Sequence, residues 1–364
     1  MVLQKLRLAH FRNFSNLELS FSPKLNYIIG KNGQGKTNLL ESIFCLAISK
    51  SFRTANDADL IELNEKSFEI HGELLSDVSV EHSLSIVFLN GKKSVRHDQK
   101  RLPRHSALLG IAPMVLFSPE DHKVTGGAPS ERRAFLDVLL SQADQSYLYQ
   151  LQEYHKILRQ RNRLLSLIAD SEESPDSLDS WDAAIVTPGA ALHRARRSFL
   201  QNIEDELQQI YAELANNPVK LQPHYHFAEG MHIENTDTYL NALLQLRKKE
   251  IARKQTLIGP HRDDIVFQLG QRDVKKHASR GEQKSVLLAL KIIEFHYLKN
   301  RKQMTPIILI DDLQSELDEG RQVNMISKLT DMGQTFVTST DHINPRTEDE
   351  TTFLVENGFV TPHQ

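Results

Sequence analysis

The sequence predicts an α/β protein: a mixed, largely parallel sheet with flanking helices, interrupted by a short helical arm. Three observations predict it. Residues 25–29 form an apolar, strand-like run leading into Gly30, Lys31, Asn32, Gly33, Gln34, Gly35, Lys36 and Thr37, which fit the phosphate-loop pattern G-x-x-x-x-G-K-[ST]. A second apolar run, residues 307–310, is too short for a helix, suits a buried parallel strand and ends on Asp311 and Asp312. Between the two, from about residue 130 to 215, apolar residues recur at helical spacing.

Composition sets the outer limits. The chain has 364 residues, enough for two domains or one large split one. No run approaches the roughly 18 apolar residues of a membrane span, and the N-terminus alternates where a signal peptide would have a continuous apolar core. The one cysteine, Cys45, lies in the apolar run 43–48, where burial is expected. One cysteine excludes a disulfide within the chain and fits a reducing cytoplasm. Net charge is −3, so any contact with a polyanion must come from local patches.

Taken in order, residues 2–29 predict three short strands, marked by Leu3, Leu6 and Leu8, then Leu17, Leu19 and Phe21, then the run before the loop. Leu39, Leu40, Ile43, Phe44 and Ala47 mark a helix over 37–48. Strands follow at 68–75 and 84–89. Asn90 and Gly91 suit a type I′ hairpin, which needs positive φ at both positions. The returning strand carries Lys92, Lys93, Arg96, Lys100, Arg101 and Arg104. This basic ribbon reads either as a solvated edge protected by charge or as a contact for a phosphate backbone.

Further on, Tyr147, Leu151, Tyr154, Leu158, Leu165 and Ile168 follow heptad steps broken by Arg161. A second stripe (Leu192, Phe199, Ile203, Ile210, Leu214) follows a polar turn at 170–176, with Pro188 starting or kinking its helix. The two stripes predict an antiparallel arm. Arg159, Arg161, Arg163, Arg194, Arg196 and Arg197 lie along it, as a solvated face or as a track for a polyanion. A strand near 219–227, a helix from about 239, a strand at 265–269, a helix at 284–298, another at 322–329, a strand at 335–339 and a hairpin at Asn357 and Gly358 complete the chain.

The chemistry gathers around the loop. Its glycines let backbone approach a polyphosphate closely, and successive N–H groups with a helix N-terminus offer partial positive charge. Lys36 would reach the β- and γ-phosphates, and Thr37 would place its hydroxyl on magnesium. Asp311 and Asp312 end a strand at the carboxyl edge of the sheet, where such sheets bind ligands. Asp311 would hold magnesium with Thr37, and Asp312 would orient or deprotonate water. Adjacent carboxylates at a buried strand end repel one another and want a cation. Upstream, Ser279 and Gly281 precede a helix start and make a second anion site, one that suits a neighbouring subunit's nucleotide.

These residues carry a family resemblance. The loop at 30–37, a signature S-x-G-E/Q at Ser279, Arg280, Gly281 and Glu282, the strand ending in Asp311 and Asp312, and the segment Ser315, Glu316, Leu317, Asp318 resemble an ABC-type ATPase head. Within that class the chain is similar to the RecF family of bacterial recombination and gap-repair proteins. The supporting strings are residues 8–14, 51–54, 117–121, 132–137 and 259–264, spread over nearly the whole chain. Related chromosome-maintenance and break-repair ATPases insert very long coiled coils, which the short arm argues against.

The resemblance implies an ATPase domain split over residues 1–125 and 250–364, with a helical arm domain at 126–249. It implies ATP and Mg2+ as cofactors, with Gly30 to Thr37, Asn38 and Arg12 meeting the nucleotide and Lys36, Asp311 and Asp312 catalytic. Ser279, Arg280, Gly281 and Glu282 would meet the ATP of a partner in a head-to-tail homodimer. It further implies binding to DNA at single-strand/double-strand junctions and gaps, and action with RecO and RecR in placing RecA there.

Three features depart from the ABC pattern: Arg280 where transport cassettes have glycine, Asp312 where a longer glutamate is usual, and Thr340 at the switch-histidine position with His342 two residues later. The glutamine-loop position falls near Glu120. Together they predict slow hydrolysis that acts as a timer. The competing readings are the ATPase cassette of a membrane transporter, a non-repair ABC-type regulator, and a scaffold with a vestigial nucleotide site. The arm and the strands at 67–97 make the chain unlike a compact cassette, and the lysine with both carboxylates argues against a vestigial site.

Overall fold

Alternating apolar residues build β1 (Val2–Phe11), which bends back through β2 (Phe14–Ser20) to β3 (Leu25–Ile29). Leu3 and Leu6 are both fully buried although they stand three apart. A register shift between Leu3 and Lys5 explains this, since the extra residue returns Leu6 to the inner face. The structure, a computed structural model, describes residues 1–215, 218–312, 329–341, 347 and 349–363. It comprises two compact units, one of residues 1–120 and 294–364 and one of residues 121–293.

In the first unit α1 (Lys36–Ile48) follows β3, and a meander of β4 (Ser67–Leu75), β5 (Glu81–Leu89), β6 (Lys92–His97) and β7 (Lys100–Arg101) leads to β8 (Met114–Phe117). The turn between β5 and β6 has φ of 50° at Asn90 and 75° at Gly91, the left-handed pair the dipeptide predicts. A second tight turn, at Asp98 and Gln99, divides the basic ribbon into two strands where one was expected.

The chain then enters the second unit: α2 (His122–Gly126), α3 (Pro129–Ala143), α4 (Gln145–Ala169), α5 (Asp179–Ala215), β9 (Leu221–His226), α6 (Thr236–Arg253), β10 (Asp264–Leu269), β11 (Arg272–Asp273) and α7 (Val274–His277). The boundary between the units falls within α8 (Arg280–Lys302). Back in the first unit come β12 (Ile307–Ile310), β13 (Thr335–Ser339), β14 (Glu350–Glu356) and β15 (Phe359–His363). The helix expected at 322–329 and the segment 315–318 lie outside the described residues, apart from Leu329.

Two six-stranded sheets form the first unit. One is antiparallel, in the order β2-β1-β4-β5-β6-β7. The other runs β15-β14-β3-β13-β12-β8, parallel throughout except for the edge strand β15. Helix α1 touches strands of both sheets, so Leu39, Leu40, Ile43, Leu46 and Ala47 are all buried. Cys45 is buried there too, and desolvation pushes its thiol far above its ordinary pKa. The sheets are also joined by one buried amide: Gln334 accepts the Leu3 N–H and donates to the carbonyls of Leu3 and Ser22.

In the second unit α4 and α5 pack together as the two stripes predict, and α6 joins them. The three-stranded antiparallel sheet β11-β10-β9 completes the unit, which therefore holds residues 250–293 together with the helices. One expectation is narrowed and one corrected. Pro188 does not open its helix: α5 begins at Asp179 and carries the proline inside. Arg161 and Arg196 are neither a solvated face nor a polyanion track, being 0% and 1% exposed.

Both arginines tie the unit together internally. Arg161 donates to Asp182 (2.7 Å), Glu250 (2.6 Å) and Thr256 (2.7 Å). Arg196 donates to Asp137 (2.6 Å), the Pro260 carbonyl (2.6 Å) and the Tyr147 hydroxyl (3.0 Å). Arg159, Arg163 and Arg194 remain exposed, while Arg197 lies over the Phe227 ring. Burying charge is tolerable only when partners replace water, and here each of the three nitrogens of Arg161 donates a hydrogen bond.

Removing one member should therefore be costly. Arg161→Met leaves Glu250 without its cation in the interior, while Asp182 keeps Arg247, and is expected to lower stability by about 3–5 kcal/mol, read from urea unfolding of the full chain. His261 gives a pH test. Its Nε2–H donates to the Thr256 carbonyl (3.2 Å), so Nδ1 accepts from the Tyr154 hydroxyl (2.6 Å). Burial pulls its pKa down to about 3, against 6.5 in an unfolded chain. The unfolded chain then binds the extra proton, so stability is fully present above about pH 6.5 and falls as pH drops toward about 3. The urea midpoint should fall more steeply over this window in the native chain than in His261→Gln; equal slopes would contradict the assignment.

Candidate nucleotide site

Sheet order assembles the site. β13 lies between β3 and β12, and all three run parallel. The loop after β3, the carboxylates after β12 and the residues at the end of β13 therefore share the carboxyl edge. Gly30 and Gly35 permit the loop's path. Gly30 has φ of 150°, and a Cβ there would stand 2.4 Å from the Val355 carbonyl of β14; Gly35 caps α1 at φ of 115°, where a Cβ would meet the Asn13 amide at 2.5 Å.

Side chains outside the loop hold it. Asn13 donates to the Gln34 carbonyl and accepts from Asn38, while the Gln34 side chain accepts the Asn357 N–H. The Lys36 ammonium donates to the carbonyls of Gly30 (2.6 Å) and Lys31 (3.0 Å). Burial lowers its pKa, opposed by Asp312 and Asp311.

One oxygen joins the three segments. Asp311 Oδ1 accepts from Thr37 Oγ1 (2.9 Å) and from Thr338 Oγ1 (2.9 Å), and Thr338 Oγ1 in turn accepts the Asp312 N–H (2.8 Å). Asp311 is 7% exposed, and desolvation raises its pKa, with Asp312 adding and the two threonine hydroxyls opposing. Asp312 is exposed, at φ of 49°. A buried carboxylate with a raised pKa, a second carboxylate and a threonine hydroxyl form an all-oxygen donor set, the kind a hard divalent cation such as magnesium prefers. The residues fit a metal–polyphosphate ligand.

A cavity of about 300 Å³ opens at this edge. Asn32, Gly33, Gly35, Lys36, Thr37 and Asn38 line it together with Asp311, Asp312 and Thr340, while Gly30, Lys31 and Gln34 do not. His342 lies outside the described residues, and Glu120 sits in a 3-10 turn (Pro119–Asp121) after β8. Arg12 does not line the cavity. Its guanidinium pairs with the buried Glu41 (2.8 and 2.9 Å) and donates to the Asp59 carbonyl. Arg53 lines it instead, bonded to Asn38 Oδ1 at 2.8 Å. Sequence spacing assigns Arg53, Thr338 and Ser339 no role at the site, although Arg53 stands in the string 51–54 and Thr338 and Ser339 directly precede Thr340 in the switch segment.

The signature residues lie in the second unit and have a local structural task. Ser279 Oγ accepts the Glu282 N–H (3.2 Å), and the Glu282 carboxylate accepts the Ser279 N–H (2.7 Å) and pairs with Arg272 (3.1 Å). This is a reciprocal cap on α8. The helix starts at Arg280, so Gly281 belongs to its first turn and does not precede it. Ser279, Arg280 and Gly281 are exposed.

Comparisons with known proteins agree along the whole chain. A family model described as RecF/RecN/SMC N terminal domain matches residues 2–355. The DNA replication and repair protein RecF of Lachnoclostridium phytofermentans is 36% identical over 364 residues, covering 99% of each chain. That of Bacillus cereus strain G9842 is 36% identical over 372 residues, covering 99% of this chain and 98% of its own. A solved structure of the recombination mediator protein RecF with ATP superposes with a TM-score of 0.93 at 29% identity, covering 100% of this chain and 98% of the other. An Smc head, at 16% identity and a TM-score of 0.54, shares the fold. The chain belongs to the RecF family of DNA replication and repair proteins.

Proposed function

We propose that this protein binds ATP with magnesium at the Asp311-centred site and uses it as a switch for dimerising on gapped DNA. The single observation that carries the reading is the shared oxygen: Thr37, Asp311 and Thr338 converge beside Lys36 at the carboxyl edge of a parallel sheet. A relative solved as a RecF–ATP structure supports the choice of nucleotide. Gly30 to Thr37 and Asn38 would hold the phosphates, with Arg53 at the rim; Thr37 and Asp311 would hold magnesium. Magnesium held there would neutralise phosphate charge that otherwise repels the two carboxylates. Arg12, paired as it is, positions Glu41 and reaches nucleotide only by exchanging that partner.

Asp312 has the exposure and the position to orient water, while its backbone N–H is anchored on Thr338. Its side chain is short, which supports slow hydrolysis. Ser279, Arg280, Gly281 and Glu282 offer the second half of the composite site. A Cβ built at Gly281 would meet no atom within 4 Å, so the first turn of α8 leaves room for another molecule. Closing two shared sites couples nucleotide binding to dimerisation by mass action, and two-fold symmetry makes the contact isologous. On this reading the ATPase domain comprises residues 1–125 and 250–364, with 126–249 as an arm, and the dimer works in the cytoplasm with RecO and RecR to place RecA on gaps. The transporter-cassette alternative is not favoured by relatives that match over the full chain.

Nucleotide binding measured by fluorescence should separate the roles. Lys36→Ala removes a charge-assisted donor and should cost about 2 kcal/mol or more, roughly 30-fold in affinity. Asp312→Asn should leave affinity within about twofold and slow hydrolysis at least tenfold. Retained affinity in Lys36→Ala would overturn the site assignment. Gapped-DNA binding should weaken steeply between low and moderate salt, the mark of phosphate contacts; salt-independent binding would contradict a polyanion interface.

A further inference from the structure

At the rim of the antiparallel sheet, two histidines and an aspartate meet away from the nucleotide site. His97 pairs directly with Leu84 across β5 and β6, and His82 stands two residues before Leu84. Alternation therefore puts both imidazoles diagonally on one face. It is the inward face, since Leu84 and Val95 on it are buried. His82 Nδ1 and His97 Nε2 stand 3.1 Å apart. Asp98 Oδ2 is 3.2 Å from His97 Nε2 and 3.7 Å from His82 Nδ1.

The carboxylate is aimed by the backbone of the neighbouring strand. Asp98 Oδ1 accepts the Ser83 N–H at 2.8 Å, and the Asp98 N–H donates to the Ser83 carbonyl at 2.9 Å. Positive φ at Asp98 (48°) and Gln99 (63°) makes the turn that allows this double contact. Oδ2 is left facing the two rings.

Hydrogen bonding accounts for the trio poorly. Two facing imidazole nitrogens share one proton at most, and the carboxylate oxygen stands farther off than the ~2.7–2.9 Å of a charge-assisted bond. A single tetrahedral cation accounts for all three separations. With ligand bonds of about 2.0–2.2 Å, neighbouring ligand atoms stand about 3.3–3.6 Å apart, and the observed 3.1, 3.2 and 3.7 Å straddle that value.

We infer that His82, His97 and Asp98 form a binding site for a divalent transition metal, zinc first among them. Two imidazole nitrogens suit zinc and its neighbours; magnesium and calcium prefer oxygen alone. Asp98 is 49% exposed, so the fourth position is open to water. The bound ion would clip β5 to the turn between β6 and β7, fixing the hairpin that carries Lys92, Arg96, Lys100 and Arg101. The Ser83 amide plays the outer part, holding the carboxylate in its ligating pose.

The test uses the full chain with Zn2+ and Co2+ in excess Mg2+, so that oxygen-only sites are filled. One equivalent of Zn2+ should bind in competition with a chromophoric chelator, and Co2+ should show the intense visible bands of a tetrahedral site. His97→Gln should weaken Zn2+ at least tenfold, and His82→Asn combined with it should abolish stoichiometric binding. Asp98→Asn, which keeps an oxygen for the Ser83 amide, should weaken it without unfolding the hairpin, as far-UV circular dichroism would report. Nucleotide affinity should not change in any of them. No stoichiometric Zn2+ binding, a weak octahedral Co2+ spectrum, or affinity indifferent to these substitutions would each overturn the site.

Discussion

Everything at the nucleotide edge depends on a single carboxylate oxygen. Asp311 Oδ1 receives one hydroxyl from the phosphate loop and one from β13, while its own strand lies on the far side of β13. Three chain segments separated by up to 301 positions are thus held to one point, a consequence of sheet order more than of local sequence. Burial nonetheless disfavours the charged form of this carboxylate. The neighbouring Asp312 pushes the same way, and two hydroxyls relieve it only partly. On the proposed reading a divalent cation bound with nucleotide would relieve this burial.

The second unit solves a different problem with the same chemistry. Arg161 and Arg196 lie in its interior and are matched by carboxylates and a carbonyl drawn from distant elements. Arg132 grips Asp264 with two 2.8 Å bonds, and Arg133 donates to the Asp263 carbonyl. The family-like strings at 132–137 and 259–264 are therefore two halves of one contact. Such pairs add little net stability over apolar packing, whereas removing one partner is costly.

Much of this was legible in the sequence, for identifiable reasons. The phosphate loop, the apolar strand before Asp311 and the Asn90-Gly91 turn are set by contacts within a few residues, so spacing alone reveals them. The bulge after Leu3, the burial of Arg161 and the exchange of Arg12 for Arg53 at the cavity were not legible, because each is decided by a partner far along the chain. Arg161 reads as a break in an apolar stripe until Glu250, 89 residues on, is known to face it. Ser279 and Glu282 show a subtler limit. One short pattern serves as a signature for a neighbour's phosphate on the proposed reading and as the cap of its own helix, and only the hydrogen bonds display the second role.

On the proposed account neither copy holds a complete catalytic pocket, and nucleotide state sets the association state. Sedimentation velocity of the unmodified chain with ATP, a non-hydrolysable analogue and ADP measures this most directly. The account predicts dimer with ATP, a more persistent dimer with the analogue, and monomer with ADP. A protein that stays monomeric in all three while hydrolysing ATP at an undiminished rate on dilution would contradict it.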